Sequence, residues 1–415
     1  MVREFDAVVI GAGALGASTA FHLVAQGFGR IALIDKHAAA SQTSPRAAGL
    51  TQQLRATEAL TLIAARSTQK IIDFTAETGQ PMECFRGGSV KLARRPEHVD
   101  QLREEVERAK QWGIDLRWFE SSRLPELSPF IHPDGVLAAT YNPHDLYLEP
   151  GQVPRGYVRA AVALGVELIE HTVARRIIVE NGAVAGVELA DEDIRSPVVV
   201  DAAGAWSRLF AATADVRPAI VPTRHQLLIT EPLDGVKPDQ PIVRIIDANV
   251  YVRPDRGGLM LGGYESDPEQ YPSPPDDIAE LTLDLQVLRG LADQVREQMP
   301  VFQDVFARGA IREHRGGLPT VSPDGRLLLG PVTSLPGLYL ATGCNVGGLS
   351  ASPGIGAVLA DLIATGRSSV GDVSDLSPDR FGPEFLDERR LREATRHRYA
   401  HQYSPLKTEE MRGAP

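Results

Sequence analysis

Two short apolar runs flank a helical pattern at the start of the chain. Residues 7–10 and 31–34 are apolar throughout, which predicts two buried strands of a parallel sheet. Between them, Ala17, Ala20 and Val24 recur at helical spacing and glycines follow, which predicts a helix that ends before the second strand. The pattern therefore predicts a strand–helix–strand unit.

A glycine-rich turn joins the first strand to that helix, and it reads Gly11-Ala12-Gly13-Ala14-Leu15-Gly16. Gly11 permits a tight turn, Gly13 lets a pyrophosphate approach the backbone, and Gly16 lets the helix pack closely on the strand. Asp35 ends the second strand, where a carboxylate accepts hydrogen bonds from an adenosine ribose. This order predicts a dinucleotide site. The alternative is a packing turn in an ordinary βαβ unit.

The rest of the chain mixes two patterns. Residues 173–179 and 183–189 flank Asn-Gly, which predicts a hairpin with a type I′ turn, and residues 198–206 predict another buried strand. From residue 221 to residue 264, short strands are separated by Pro, Asp and Gly, which predicts an antiparallel sheet. Residues 278–299 then predict an amphipathic helix.

Composition narrows the class of protein. At 415 residues the chain exceeds one ordinary core, which predicts two domains. A net charge of -11 argues against nucleic acid or an anionic membrane as the main partner, because either would favour a basic face. Cys84 and Cys344 form neither a disulfide framework nor a metal-ligand spacing, so we expect no metal site and a reducing compartment.

Targeting signals are also not expected. The first predicted strand starts close to Met1, which leaves no room for a signal peptide, and no apolar run approaches the roughly 18 residues of a membrane span. We therefore expect a cytoplasmic protein without a membrane span.

Four motifs together carry a resemblance to a known family. They are GAGALG with Asp35, VVVDAAGAWS, PTVSPDGRLLLGP and LYLATGCNVGGLSASPGIG, in this order along the chain. With them the chain resembles the FAD-dependent amine oxidoreductases typified by glycine oxidase, sarcosine oxidase and dimethylglycine dehydrogenase. The resemblance implies an α/β fold, with a Rossmann-like FAD-binding domain and a second, mostly antiparallel β-sheet substrate domain.

The same resemblance implies domain bounds. The FAD-binding domain is discontinuous, over residues 1–80, 150–205 and 320–370. The substrate domain takes residues 81–149 and 206–319, and a helical tail follows over residues 371–415.

Three local matches are similar to the flavin half of dimethylglycine dehydrogenase and its relatives. Pro45-Arg46-Ala47-Ala48-Gly49-Leu50 is similar to that branch's His-Ala-Ala-Gly-Leu, and His225-Gln226 is similar to its active-site His-Gln pair. The tail from Arg380 to Tyr403 is similar to the linker toward a folate-binding half. Because the chain stops there, the resemblance implies that any folate-linked step needs a separate folate-binding partner.

The resemblance also assigns FAD contacts. A helix that starts near Gly347 would aim free amides and its positive end at the negative edge of a reduced flavin. Covalent attachment is not expected, because Arg46 replaces the tethering histidine and a guanidinium has no free lone pair. The expected FAD-binding residues are Gly11, Ala12, Gly13, Leu15, Gly16, Asp35, Lys36, Ser44, Arg46, Ala48, Gly49, Leu50, Val173, Ala203, Gly204, Trp206, Leu318, Gly343, Asn345, Val346, Gly347, Gly348, Leu349 and Ser350.

Three residues are candidates for the chemistry. His225 is expected to help the substrate amine lose its proton, Tyr251 to hold the substrate or a water, and Arg55 to bind a substrate carboxylate. Each residue has a structural alternative. His225 could be a strand histidine with its hydrogen bonds satisfied, Tyr251 a packing residue, and Arg55 a surface residue. Leu318 stands where oxidases of D-amino acids and glycine carry an arginine before proline, which disfavours a primary amine.

The expected reaction is FAD-dependent oxidation of a secondary or tertiary N-alkyl amino acid to an iminium, which hydrolyses to a dealkylated amine and an aldehyde. The electron acceptor would be oxygen or a redox protein. Oxidation of a cyclic imino acid, a D-amino acid or a 2-hydroxy acid is an alternative within the same fold. A flavin-binding subunit of a larger dehydrogenase complex is an alternative of another class.

Overall fold

A parallel sheet forms the first half of the fold. The computed structural model describes residues 3–404, and within them this sheet has six strands. Its order is Leu328–Pro331, Leu338–Thr342, Val199–Asp201, Ala7–Ile10, Ile31–Ile34 and Glu167–Ile169. Leu328–Pro331 is antiparallel to its neighbour and the other pairs are parallel. The two predicted strands at the start of the chain are confirmed.

Helices cover this sheet closely. Helix Ala14–Ala25 packs between helices Gln152–Ala163 and Gly348–Thr365. A Cβ on Gly356 would collide with Ser18, so glycine permits the close crossing of two of these helices. In the described part of the chain the α-helices are Ala14–Ala25, Glu58–Ile72, Phe74–Thr78, Pro96–Gln111, Leu124–Leu127, Gln152–Ala163, Ser207–Ala211, Leu285–Gln294, Val301–Arg308, Gly348–Thr365 and Glu388–Ala400.

A larger, mostly antiparallel sheet forms the second half. Among residues 3–404 it has eight strands, and one neighbouring pair, Ile242–Ile245 with Ser89–Ala93, is parallel. Its order is Ile311–Gly317, His225–Thr230, Gly258–Gly263, Val250–Asp255, Ile242–Ile245, Ser89–Ala93, Ala138–Asn142 and Arg117–Phe119. The predicted fold class, a Rossmann-like half with a mostly antiparallel second half, is confirmed.

Three smaller sheets accompany the two large ones within residues 3–404. The predicted hairpin forms between strands Arg176–Glu180 and Ala183–Glu188, and Asn181 and Gly182 both have positive φ, 52° and 77°. Strands Asp193–Arg195 and Arg3–Glu4 extend it. Two short pairs are Val221–Pro222 with Thr320–Val321 and Cys84–Phe85 with Tyr147–Leu148.

The prediction of a single helix over residues 278–299 is wrong. The chain forms a 3-10 turn at Ile278–Glu280, then helix Leu285–Gln294, and a further helix Val301–Arg308 after Pro300. The side chain of Asp284 accepts a hydrogen bond from the Gln286 N–H and so starts the second segment as its N-cap. Amphipathic spacing alone did not reveal these caps.

Helix Gly348–Thr365 qualifies the expectation that no apolar run is long enough to cross a membrane. Its 18 residues have a mean hydropathy of 1.3, which meets the length and composition of a span. However, 67% of it is buried among other elements, which is typical of a core helix. Of the predicted helical tail, residues 405–415 lie outside the described residues, and helix Glu388–Ala400 lies within them.

Candidate functional site

The first cavity of the candidate site lies where the parallel strands end. Its volume is about 400 Å³. Besides His225, the predicted residues that line it are Gly11, Gly13, Leu15, Asp35, Lys36, Ser44, Arg46, Ala48, Val173, Ala203, Gly204, Trp206, Leu318, Val346, Gly348 and Leu349. Ligands of α/β sheets bind at this edge, so the strands position the cavity.

The glycine turn shapes one end of the first cavity. Gly11 has a φ of 98°, and a Cβ there would lie 2.5 Å from the Ala202 carbonyl oxygen. Gly13 is the N-cap of helix Ala14–Ala25 and provides no side-chain cap. The helix therefore presents its positive end to the cavity, where an anion such as a pyrophosphate is stabilised.

Asp35 organises the neighbouring backbone as well as facing the cavity. Its Oδ2 accepts a hydrogen bond from the Ala12 N–H at 2.7 Å, and its Oδ1 accepts one from the His37 N–H at 2.8 Å. Burial raises the pKa of this carboxyl above its ordinary value. Each carboxylate oxygen still has a second lone pair, so Asp35 can also accept from a ribose hydroxyl.

Lys36 and Trp206 close one wall of the first cavity. The Lys36 Nζ lies 4.1 Å from the centroid of the Trp206 ring and 2.6 Å from Asp276 Oδ1. Arg46 donates to the carbonyl oxygens of Ser41 and Gln42. The Arg46 guanidinium therefore supports its own turn at the edge of the cavity.

A second cavity of about 580 Å³ adjoins the first. Cys344, Val346 and Gly348 line both, so the loop before helix Gly348–Thr365 separates them. Asn345 and Val346 have positive φ values of 46° and 66°, which non-glycine residues rarely adopt. Backbone strain of this kind concentrates at ligand sites.

Arg55 lies in the second cavity, against that loop. A Cβ on Gly347 would stand 2.8 Å from Arg55 Nη2, so the guanidinium lies at the amino end of the helix. Among residues 3–404, the Arg55 side chain makes no hydrogen bond and no ion pair. Burial lowers the pKa of Arg55, the charge of Arg244 lowers it further, and Tyr264 and Asp145 oppose this shift. The guanidinium and the positive end of the helix together favour an anion such as a carboxylate.

Arg244, which sequence reasoning missed, also lines this cavity. Its Nη2 donates to the Thr51 carbonyl oxygen at 2.6 Å, and its Nη1 lies 3.8 Å from Asp145 Oδ2. Asp145 also accepts from the Ser89 hydroxyl at 2.6 Å. Arg244 therefore has a hydrogen-bond partner and an ion-pair partner, whereas the Arg55 side chain has neither among residues 3–404. An arginine inside the apolar strand Ile242–Ile245 was the available signal.

His225 lies between two tyrosines. Its Nε2 is 2.9 Å from Tyr251 Oη, and its Nδ1 is 2.7 Å from Tyr399 Oη. Burial lowers the pKa of His225 to about 3, so the imidazole is neutral. Burial likewise raises the pKa of the Tyr251 phenol above its ordinary value. The structure thus brings His225 and Tyr251 together as a hydrogen-bonded pair.

Tyr264 connects this pair to the second cavity. Its ring lies 5.0 Å from that of His225, and it lines the second cavity with Arg55 and Tyr403. Sequence reasoning missed Tyr264, Tyr399 and Tyr403 as site residues, because Tyr264 follows a strand, the other two lie in or just after helix Glu388–Ala400, and no spacing relates them. Tyr251 is 2% exposed and lines neither cavity, so it faces the site through His225.

Some expected FAD residues shape loops instead of lining the first cavity. Asn345 Nδ2 donates to the Gly343 carbonyl oxygen and to Ser322 Oγ, which holds the loop closed. Leu50, Asn345, Gly347 and Ser350 line the second cavity, and Ala12, Gly16, Gly49 and Gly343 line neither.

The first cavity fits a dinucleotide. Gly11 lets the turn pass close to the Ala202 backbone, the helix end suits a diphosphate, and Asp35 suits a ribose. The small side chains of Ala48, Ala203 and Gly204 leave room for a large planar ligand.

This chain spans about half the length of the curated relatives that it matches. Mouse sarcosine dehydrogenase is 29% identical over 408 residues, 96% of this chain and 44% of the relative. The 4-methylaminobutanoate oxidase (formaldehyde-forming) of Paenarthrobacter nicotinovorans is 28% identical over 391 residues, which are 92% of this chain and 47% of the relative. Rat dimethylglycine dehydrogenase is 28% identical over 389 residues, which are 91% of this chain and 45% of the relative.

A solved structure has the same fold. L-proline dehydrogenase from P. horikoshii matches with a TM-score of 0.82 at 24% identity, over 92% of this chain and 98% of that one. The family profile named DAO, FAD dependent oxidoreductase, matches residues 6–362. The predicted resemblance and the predicted FAD cofactor are thereby confirmed, and this chain belongs to the DAO family of FAD-dependent oxidoreductases.

Proposed function

We propose that this chain oxidises a secondary or tertiary N-alkyl amino acid to an iminium, which water hydrolyses to the dealkylated amine and an aldehyde. The observation that carries the proposal is the position of the Arg55 guanidinium in the second cavity, at the amino end of helix Gly348–Thr365 and without a hydrogen bond or ion pair among residues 3–404. The names of the relatives, which include sarcosine, dimethylglycine and methylaminobutanoate enzymes, support the same substrate class.

Arg55 holds the substrate by its carboxylate. A guanidinium donates two parallel hydrogen bonds to a carboxylate, and the helix end adds a favourable dipole. The wall shared by the two cavities then directs the rest of the substrate from Arg55 toward the first cavity. The aromatic rings of Tyr264 and Tyr403 line the second cavity and exclude water from the substrate carbons.

His225 hydrogen-bonds the substrate amine and helps it lose its proton, and Tyr251 holds His225 in place. An amino acid binds as an ammonium, and it has to lose one N–H proton before a neighbouring C–H bond can lose a hydride. FAD, when bound, accepts that hydride. The neutral imidazole lines the first cavity, and the Tyr251 hydroxyl at 2.9 Å from Nε2 holds it there, so Tyr251 acts on the substrate through His225.

Anaerobic bleaching of the flavin tests the proposal. The panel comprises sarcosine, N,N-dimethylglycine and 4-methylaminobutanoate, with glycine, proline, D-alanine and lactate as comparisons. We expect an N-methyl amino acid to bleach the flavin and release formaldehyde, and the desmethyl compound to leave the flavin oxidised. Bleaching by proline, D-alanine or lactate alone would replace the proposal with oxidation of that class.

A panel without any bleaching would instead favour a flavin-binding subunit of a larger complex. Gel filtration with and without cell extract then tests that alternative, because a subunit would shift to a larger size in extract.

Four further expectations stand as proposals beside the reaction. The division into FAD-binding and substrate domains follows the two large sheets. A cytoplasmic location is supported by Cys84 and Cys344, which are free thiols. The electron acceptor is oxygen or a redox protein, and a separate folate-binding partner would capture the formaldehyde. Cell fractionation and reoxidation of the reduced enzyme by air test the location and the acceptor.

A further inference from the structure

Two arginines of the large sheet contact a loop that belongs to the other half of the fold. Arg253 lies in strand Val250–Asp255 and is 2% exposed. Its Nε donates to the Ala48 carbonyl oxygen at 2.7 Å. Arg315 lies in the edge strand of the same sheet, and its Nη2 donates to the Ala47 carbonyl oxygen at 3.2 Å. Two guanidinium groups thus hold two neighbouring peptide groups.

These peptide groups belong to residues 41–48, which we call the cavity loop. All of its residues except Pro45 line the first cavity. Ser44 Oγ accepts a hydrogen bond from the Ala14 N–H at 3.0 Å, which ties the middle of the loop to the helix end. Among residues 3–404, the two carbonyl oxygens at the end of the loop accept hydrogen bonds only from the two arginines. The end of the cavity loop therefore depends on the large sheet.

Carboxylates balance the charge of both arginines. Arg253 Nη1 lies 3.0 Å from Asp255 Oδ2. Arg315 Nη1 lies 3.2 Å from Glu313 Oε1. Without such a partner a buried guanidinium would be costly. Each arginine still has a further N–H for the loop, and a hydrogen bond from a charged donor is stronger than one from a neutral donor.

We propose that Arg253 and Arg315 are positioning residues for FAD, which hold the end of the cavity loop in the conformation that binds the cofactor. A loop that is already fixed loses less conformational entropy when its ligand binds, so the affinity is higher. Neither arginine is among the residues that line the first cavity, so both act through the loop. The inference rests on the FAD cofactor of the family and not on the proposed substrate.

Equilibrium dilution of the FAD-loaded protein, followed by the fluorescence of released FAD, measures the affinity. Arg253→Met and Arg315→Met should each raise the FAD dissociation constant about tenfold, as expected for the loss of one hydrogen bond from a charged donor. Arg256→Met is the matched control, because Arg256 pairs with Asp255 and Glu313 but is exposed and makes no hydrogen bond to the cavity loop. Its dissociation constant should equal that of the natural protein.

Hydrogen–deuterium exchange in excess FAD separates positioning from a general loss of stability. The Arg46 N–H donates to the Thr43 carbonyl oxygen at 3.1 Å, so its exchange reports on the cavity loop. We expect residues 41–48 to exchange faster in Arg253→Met and Arg315→Met, and the rest of the parallel-sheet half to exchange as in the natural protein. A purely structural role would instead speed exchange throughout the fold.

An unchanged FAD dissociation constant in Arg315→Met would overturn the proposal. An equal rise in Arg256→Met would also overturn it, because the effect would then come from the charge cluster. Weaker FAD binding with unchanged exchange of the cavity loop would contradict the positioning role. Should Arg253→Met not fold, Arg315→Met decides alone, since the Arg315 side chain is 11% exposed. No amine takes part, so failure of the proposed function would leave these results in place.

Discussion

The Arg55 guanidinium lies against Gly347, and glycine at that position is what makes room for it. A Cβ on Gly347 would stand 2.8 Å from Arg55 Nη2. A larger residue at position 347 would therefore displace the guanidinium. The contact places a side-chain cation at the positive end of a helix, which is unfavourable unless an anion binds to both. Under the proposed function, the substrate carboxylate is that anion.

Arg55→Met should raise KM for the N-alkyl amino acid about thirtyfold and change the maximal rate little, because a carboxylate contact stabilises ground state and transition state alike. The measurement is flavin reduction against substrate concentration. Arg103→Met is the matched control, since Arg103 is exposed and paired with Asp100. An unchanged KM in Arg55→Met would remove Arg55 from substrate binding.

His225→Ala should lower the rate of flavin reduction about a hundredfold, the low end for a residue that moves a proton. Stopped-flow reduction under anaerobic conditions measures it, with FAD content checked by absorbance. His132→Ala, in an exposed loop, should reduce its flavin at the natural rate. Natural kinetics in His225→Ala with intact flavin would show that His225 is structural.

FAD should be bound without a covalent tether. Arg46 donates to two carbonyl oxygens of its own turn, and its guanidinium has no lone pair with which to attack the flavin. Acid precipitation should give a yellow supernatant, and the protein mass should be that of the chain alone. Flavin that stays with the precipitated chain would reveal a tether through another residue.

Asp35→Ala should weaken FAD binding about tenfold, because it removes the proposed acceptor for the ribose and the hydrogen bond that holds the Ala12 N–H. Titration of the flavin-free protein with FAD, followed by fluorescence, measures the dissociation constant. Asp191→Ala, in the exposed hairpin region, serves as the control. Equal affinities in the two variants would contradict the predicted contact.

Asp201→Asn should stabilise the protein at pH 8 by about 2 kcal/mol and have little effect at pH 4. Burial raises the pKa of Asp201 to about 7, while Oδ1 accepts from Ser207 Oγ at 2.7 Å. A carboxyl whose pKa is higher in the folded protein contributes stability below its unfolded pKa and loses it as the pH rises toward 7. An amide keeps the acceptor and never ionises.

Urea unfolding at the two pH values measures this difference. Equal destabilisation of Asp201→Asn at pH 4 and pH 8 would show that Asp201 does not titrate in this range. The Ser207→Ala variant removes one hydrogen bond to Asp201 and serves as a comparison for simple loss of a contact.

Local patterns were sufficient for much of the fold. The strand–glycine turn–helix unit from Ala7 to Ala25, the Asn181-Gly182 hairpin and the short strands from His225 to Gly263 all form within the predicted stretches. Each of these elements depends on a few neighbouring residues. A run of apolar residues forms a strand that is buried on both faces, and residues that tolerate positive φ form the turns. The motifs likewise located the wall of the first cavity, because its residues follow directly from those turns.

The second cavity depends on tertiary structure. Arg244, Tyr264 and Tyr399 come from two strands and a distant helix, and no spacing in the chain relates them to Arg55 or His225. Their roles follow from charge and hydrogen-bond partners that exist only after the sheet and the carboxyl-terminal helix pack together. Sequence alone determined that a dinucleotide has a place to bind; the packing decided which guanidinium lies at the amino end of helix Gly348–Thr365 and which nitrogen of His225 faces Tyr251.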